Sequence, residues 1–269
     1  MPDQDKPSLA AQYLQQLFGL QGQTAVVIGG TGVLGGAIAE ALCFAGAETI
    51  IVGRNAEQGR DKAAQLTSLG GKACFFGADS TDRADLEALV ADLRGKNKSL
   101  QILVNGAGVN SPTPFLEITD EEWDRIFNVN LRGVRLACQV CGAYMLERKN
   151  PGSIINIASL SAMTPLSRVF TYSASKAAVL NLTQNLAREW APHGIRVNAL
   201  SPGFFPAEQN RKVLTPDRVE SVMRHTPMKR FGESSELAGA ALLLASPKAG
   251  SFLTGANLVV DGGFSAMTI

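Results

Sequence analysis

Histidine and cysteine are scarce: 2 and 4 in 269 residues. Cys43, Cys74, Cys138 and Cys141 are too few for a disulfide scaffold at this length. Cys138 and Cys141 make a CxxC string, but it falls in the middle of a helical segment, with no second pair and no histidine nearby. It reads as packed thiols, and no metal site is expected. An excess of one charge is also missing, with 25 basic against 24 acidic side chains. That excludes the electrostatic footprint of a nucleic-acid or membrane-surface binder. No stretch approaches the 18 consecutive apolar residues of a membrane span. The opening MPDQDKPSLAAQYLQQL has no basic segment followed by an apolar core, so a cytoplasmic protein is expected. What the chain does have is 45% hydrophobic residues, enough for a core, and 27 glycines in telling places.

Short apolar runs alternate with helical-period segments. The runs are Thr24 to Ile28, Thr49 to Val52, Ala73 to Phe76, Leu100 to Val104, Ser153 to Ala158, Ile195 to Leu200 and Asn257 to Val260. Several are apolar throughout, as strands buried on both faces are. Between them lie Val33 to Ala45, Ala56 to Leu69, Asp82 to Arg94, Asp120 to Leu146 and Tyr172 to Ala191, all of helical composition. Thr119 with Glu122 makes a capping box for the fourth of these. The pattern predicts an α/β fold, one doubly wound domain over 20–269 with a seven-stranded, mainly parallel sheet and helices on both faces. Residues 1–19 form an N-terminal extension whose Leu9 to Phe18 part could be a docking helix. The stretch 202–232, holding Pro206, Pro216 and Pro227, predicts a substrate lobe or lid with one or two short helices.

The first strand runs into Gly29-Gly30-Thr31-Gly32-Val33-Leu34-Gly35-Gly36 and then a helix. A glycine string in that context fits a dinucleotide: it lets the backbone approach a pyrophosphate, which the helix N-terminus then holds. Where a site for NAD places an acid after the second strand, this chain has Gly53-Arg54-Asn55. A guanidinium there can pair with a 2′-phosphate, so NADP is expected over NAD. Tyr172 and Lys176 are four apart, on one helix face. A nearby ammonium is expected to lower the phenol pKa and make Tyr172 an acid/base at a carbonyl oxygen, with the Ser159 hydroxyl donating to the same oxygen.

With Asn105-Gly106-Ala107-Gly108, Asn128-Val129-Asn130-Leu131, Ser159 and Tyr172-Ser173-Ala174-Ser175-Lys176, the glycine loop gives a chain that resembles the short-chain dehydrogenase/reductase family from about Leu20 to Gly263. The resemblance implies a Rossmann domain and hydride exchange between a nicotinamide cofactor and a ketone or secondary alcohol. It makes Tyr172 the acid/base, Lys176 its activator and a partner of the nicotinamide ribose, Ser159 the substrate polariser and Asn130 the anchor of a relay water. It places Asn105, Ala107 and Gly108 along the adenosine, Asp79 on the adenine, and Asn198, Pro202 and Gly203 near the nicotinamide. It also implies a homotetramer paired through the helices after Thr119 and from Tyr172. In place of the family's Thr-Gly opening the chain has Ile28-Gly29, and Val33 stands at the middle glycine, with Gly32 one place earlier.

That glycine loop, together with Gly203-Phe204-Phe205, Gln209-Asn210-Arg211, Thr226 to Gly232 and Asp261 to Ala266, is similar to the D-mannonate oxidoreductase (fructuronate reductase) branch. The likeness implies a sugar acid as substrate. Arg168 and Arg211 are then the expected carboxylate partners, beside Ser159 and Tyr172 at the reacting oxygen. Alternatives are a 3-oxoacyl reductase, another polyol or keto-acid dehydrogenase, and a cofactor-sensing regulator without turnover.

Overall fold

A computed structural model describes residues 8–206 and 215–267. The strands are β1 (Thr24–Ile28), β2 (Glu48–Gly53), β3 (Lys72–Gly77), β4 (Ile102–Asn105), β5 (Gly152–Ile157), β6 (Ile195–Pro202) and β7 (Asn257–Val260). They form one wholly parallel sheet in the order β3-β2-β1-β4-β5-β6-β7. This is the Rossmann-like architecture expected from the alternation.

Successive strand residues serve opposite layers because their side chains alternate across the sheet. Val26 and Ile28 join a core with α4 (Arg83–Gly95), α6 (Gly133–Glu147) and α7 (Phe170–Trp190). Ala25 and Val27 join the opposite core, with α2 (Val33–Phe44), α3 (Ala56–Ser68) and a helix over Ala238–Ala245. Both faces are therefore apolar, which accounts for the continuous hydrophobic runs.

From β1 the chain winds outward to β2 and β3, then returns to place β4 on the other side of β1. Register sets Ile28 opposite both Val52 and Asn105. The loops after β1, β2 and β4 thus emerge side by side, at the switch point where open α/β sheets bind ligands.

The segment from Asp120 to Leu146 is not one helix. α5 (Asp120–Phe127) passes through a π turn, Asn128–Arg132, into α6, and the Gly133 N–H reaches back to the Asn128 carbonyl. Hydrophobic period does not signal such an insertion. α7 opens at Phe170, before Tyr172. The lobe contains α8 (Pro216–His225), capped by Thr215, and α9 (Ala238–Ala245) follows it. α9, Ala-Gly-Ala-Ala-Leu-Leu-Leu-Ala, is apolar all round and so carries no period to read. α1 (Leu9–Phe18) forms where expected, with none of its residues buried. It is tied down where the Ser246 hydroxyl donates to the Leu17 carbonyl at 2.6 Å. Among the described residues no helix is long and apolar enough to cross a membrane, and no group of His, Cys, Asp and Glu could hold a metal ion.

Candidate active site

A cavity of about 1200 Å³ lies at the switch point. Gly29, Thr31, Gly32, Val33, Leu34 and Gly35 line its floor, and Arg54, Asp79, Ala107, Gly108, Tyr172 and Lys176 its sides. Gly29 has φ +78°, and a Cβ there would meet the Ala107 nitrogen at 2.6 Å, so only glycine lets the β1 and β4 loops close together. Gly32 caps α2 with no side-chain hydrogen bond. The N–H groups of Val33, Leu34 and Gly35, in the first turn, have no intrahelical acceptor. They face the cavity as an anion cradle. That donor set fits the pyrophosphate of a dinucleotide.

Arg54 Nη1 stands 3.7 Å from Asp79 Oδ2. Burial pushes the Asp79 carboxyl up. The Thr81 N–H and hydroxyl, each at 2.8 Å, and the Arg54 guanidinium outweigh it and hold the group below its ordinary value. A Cβ at Gly53 would lie 2.8 Å from Thr31 Oγ1, so Thr31 occupies the room that an acid at this position needs. Asn55 does not line the cavity; its side chain caps α3 by accepting from the Gln58 N–H at 3.1 Å.

Tyr172 and Lys176 share one face of α7 and both line the cavity; Lys176 is buried and Tyr172 is half-buried. The expected lowering of the phenol pKa by the ammonium is not what the geometry gives. Lys176 Nζ lies 5.7 Å from the Tyr172 ring centre and donates to the Ile157 carbonyl at 2.7 Å. Burial pushes the Tyr172 phenol up, against a smaller downward pull from the Ser159 hydroxyl. Burial also brings Lys176 down to about 8. Ser159 Oγ accepts from the Ser161 N–H at 3.2 Å and from the Ser161 hydroxyl at 3.1 Å. Its own proton is left to donate outward.

Four other expected residues lie away from the walls of this cavity and of a smaller cleft beside it. Asn130 is fully buried; its Oδ1 accepts from the Val109 N–H at 2.8 Å, and its Nδ2 donates to the Val109 carbonyl at 2.9 Å and to Ser175 Oγ at 3.0 Å. The side chain braces the loop after β4 against α7, and its amide is consumed in doing so. Asn105 points into the sheet layer, where its Nδ2 donates to Asn156 Oδ1 at 2.8 Å, rather than along the adenosine path. Pro202 ends β6 and lines neither cavity, whereas Gly203 does. Asn198 donates to the Leu253 carbonyl at 2.8 Å and pins the loop before β7. Cys138 and Cys141 are buried thiols pushed up to about 12 by desolvation.

A second, smaller cleft of about 80 Å³ adjoins the first and shares Asn110 and Tyr172 with it. Ser159, Ser161, Gly203, Phe204 and Arg218 are among its walls. Arg211 lies outside the described residues. Arg168 does not line the cleft, but it is close enough to act on the Arg218 charge. Ser161 and Arg218 escaped the sequence reading. Ser161 was in view two places after Ser159, whereas Arg218 sits in a charged surface helix with nothing local to mark it.

A family profile described as enoyl-(acyl carrier protein) reductase matches residues 31–265. The chain is 38% identical over 268 residues to the uncharacterized oxidoreductase UxuB of Bacillus subtilis (strain 168), covering 92% of this chain and 96% of that one. It is 37% identical over 257 residues to the 2-dehydro-3-deoxy-D-gluconate 5-dehydrogenase of the same organism, covering 94% and 98%. The crystal structure of a gluconate 5-dehydrogenase from Burkholderia cenocepacia J2315, in complex with NADP and tartrate, matches with a TM-score of 0.90 and 32% identity, over 95% of this chain and 100% of that one.

Proposed function

Because the chain belongs to the short-chain dehydrogenase/reductase family, oxidoreductases acting on CH–OH groups, we propose that it interconverts the ketone and secondary alcohol of a sugar acid, with NADPH preferred over NADH. The observation that carries this reading is the shared wall. Tyr172 borders both the dinucleotide-sized cavity and a small polar cleft that holds Ser159 and Arg218.

The nicotinamide cofactor supplies the hydride when bound. The chain's own residues hold the proton and the oxygen. Tyr172, kept protonated by burial, releases its proton to the carbonyl oxygen in reduction and recovers one in oxidation. Ser159, with its oxygen already accepting twice from Ser161, donates to the same oxygen and stabilises charge growing there. Lys176 is the cation beside the phenol, and it also faces the cavity where a ribose would lie. Asn130, with Ser175, holds α7 against the β4 loop so that these groups keep their spacing. The proposal keeps Asn130 among the catalytic set in this supporting sense.

The NADPH preference draws on Arg54 and on the contact between Gly53 and Thr31. The sugar acid draws on Ser159, Ser161 and Arg218 in the cleft and on relatives named gluconate 5-dehydrogenase and 2-dehydro-3-deoxy-D-gluconate 5-dehydrogenase. Fructuronate reduced to mannonate is the first candidate, from the glycine-loop and C-terminal likeness given above. The same proposal takes 20–269 as the catalytic domain, 202–232 as its substrate lobe, 1–19 as an extension, and a homotetramer as the assembly.

An NADPH-oxidation screen of keto sugar acids, neutral ketoses and 3-oxoacyl thioesters tests it. The keto acids are expected to give the highest kcat/KM. Faster turnover of thioesters or of neutral ketoses overturns the substrate class and leaves the reaction type standing.

A further inference from the structure

The cleft beside Tyr172 has a cationic wall, and no carboxylate is among the described residues that line it. Arg218 is half-buried in the first turn of α8, and its Nη2 donates to the Ser167 carbonyl at 3.0 Å. A guanidinium has five N–H donors, and among the described residues that is the only bond its side chain makes. Like several surface arginines, neither Arg218 nor Arg168 is in an ion pair among the described residues; what sets Arg218 apart is that it is half-buried and lines the cleft with Ser159 and Tyr172. The two guanidiniums act on each other instead: burial first, and then Arg168, pulls the Arg218 guanidinium down. Arg168 holds φ +60°, a left-handed backbone that is unfavourable for a side chain of its kind. A second guanidinium thus acts on the one that lines the cleft, and no ion pair among the described residues compensates either charge.

We propose that Arg218 is the specificity-determining residue of this site, a carboxylate subsite completed at its rim by Arg168. The proposal rests on the sugar-acid reading and gives it a location. A guanidinium binds a carboxylate through two parallel N–H bonds, which fixes orientation as well as charge. The acid end of a short polyhydroxy chain held there would leave its ketone to Ser159 and Tyr172, which line the same cleft. Asn110 and Ser161 line it too and offer polar groups to the hydroxyls. Because Arg218 belongs to the lobe and bonds the segment leading into α7, an acid that engages both arginines also fastens the lobe to the catalytic helix. A neutral polyol of the same length gains neither effect.

The test compares 5-ketogluconate with fructose as substrates of the NADPH-loaded enzyme, in wild type, Arg218→Gln, Arg218→Lys and Arg168→Gln. Tartrate affinity is measured by calorimetry in parallel. In Arg218→Gln the acid-over-ketose ratio of kcat/KM is expected to fall about 30-fold or more, and tartrate to weaken with it. Arg218→Lys is expected to recover part of the ratio, and Arg168→Gln to lose less than Arg218→Gln. If Arg218→Gln fails to bind NADPH, the ratio in Arg218→Lys decides, and a wild-type ratio there overturns the subsite. A wild type that prefers the acid, with variants that keep the preference, overturns the subsite alone. A wild type that prefers fructose and ignores tartrate overturns the sugar-acid reading and the subsite with it.

Discussion

Tyr172 and Ser159 line the same cleft, and the proposed reaction uses them differently. It takes the phenol, whose pKa desolvation raises, as the proton store, and the Ser159 hydroxyl, whose oxygen accepts from Ser161, as a donor. Tyr172→Phe is therefore expected to abolish turnover while NADPH binding survives, since the ring still packs on α7. Near-normal kcat in that variant removes Tyr172 from the reaction. Lys176 leaves a different trace, in stability. Its folded value of about 8 lies below the ordinary 10.5. Between those values the unfolded chain holds the proton and the folded one does not, so stability rises with pH across the window. Below about 8 the cost of the buried charge is present in full. Lys176→Met removes that cost, so the melting temperature of cofactor-free wild type is expected to gain on the variant between pH 8 and pH 10.5. Parallel melting curves across that range contradict it.

At the scale of elements, the proposed cofactor preference belongs to the turn from β2 into α3. A charge-assisted bond from Arg54 to a 2′-phosphate is worth roughly 1.5–3 kcal/mol, or about 10- to 150-fold in affinity. Arg54→Ala is expected to weaken NADPH by that factor and barely change NADH, as read by cofactor fluorescence titration. Gly53→Asp alone is expected to weaken both cofactors, because its Cβ falls 2.8 Å from Thr31 Oγ1. Gly53→Asp with Thr31→Gly has room for the acid and is expected to move the preference toward NADH. Equal loss of both cofactors in Arg54→Ala places that side chain on the adenine instead. The π turn between α5 and α6 is the other element with a functional consequence. It occurs where Asn130 turns inward to bond the Val109 backbone and Ser175, three contacts that join a loop, the turn and α7.

Over the whole molecule, large apolar side chains are exposed at several places, and those beside α5 and α7 bear on the proposed assembly. Phe115 is 63% exposed and Leu116 95%, and Phe115 packs edge-on against Phe170 at 5.4 Å between ring centres. Trp123 on α5 is exposed as well and stacks on Phe127. In the proposed homotetramer these side chains belong to the pairing surface. Sedimentation velocity is expected to give a tetramer for the wild type and smaller species for Phe115→Glu combined with Leu116→Glu. A monomeric wild type ends the homotetramer proposal.

Local order along the chain determined most of the architecture. Strands buried on both faces must be apolar throughout, so β1, β2, β4, β5 and β6 were visible as runs, while β3 and β7, at the sheet edges and only partly buried, showed as shorter ones. The glycine loop was readable because a backbone turn that tight tolerates little else, and Tyr172 and Lys176 because a helix repeats every few residues. What required the fold was whatever depends on contact between distant segments. The phenol pKa follows burial by elements far apart in sequence, and the isolated pair on one helix face suggested the opposite sign. Asn105, Asn55 and Pro202 carried plausible positions in the string, yet their side chains turn into the layer, cap a helix or end a strand. α9 is too uniformly apolar to show a period and is fixed only by packing on α2 and the sheet. Arg218 has no local mark at all. Its place in one cleft with Ser159 and Tyr172 exists only in the folded chain, because what makes it a candidate is which groups surround its charge, and that is a property of neighbours in space.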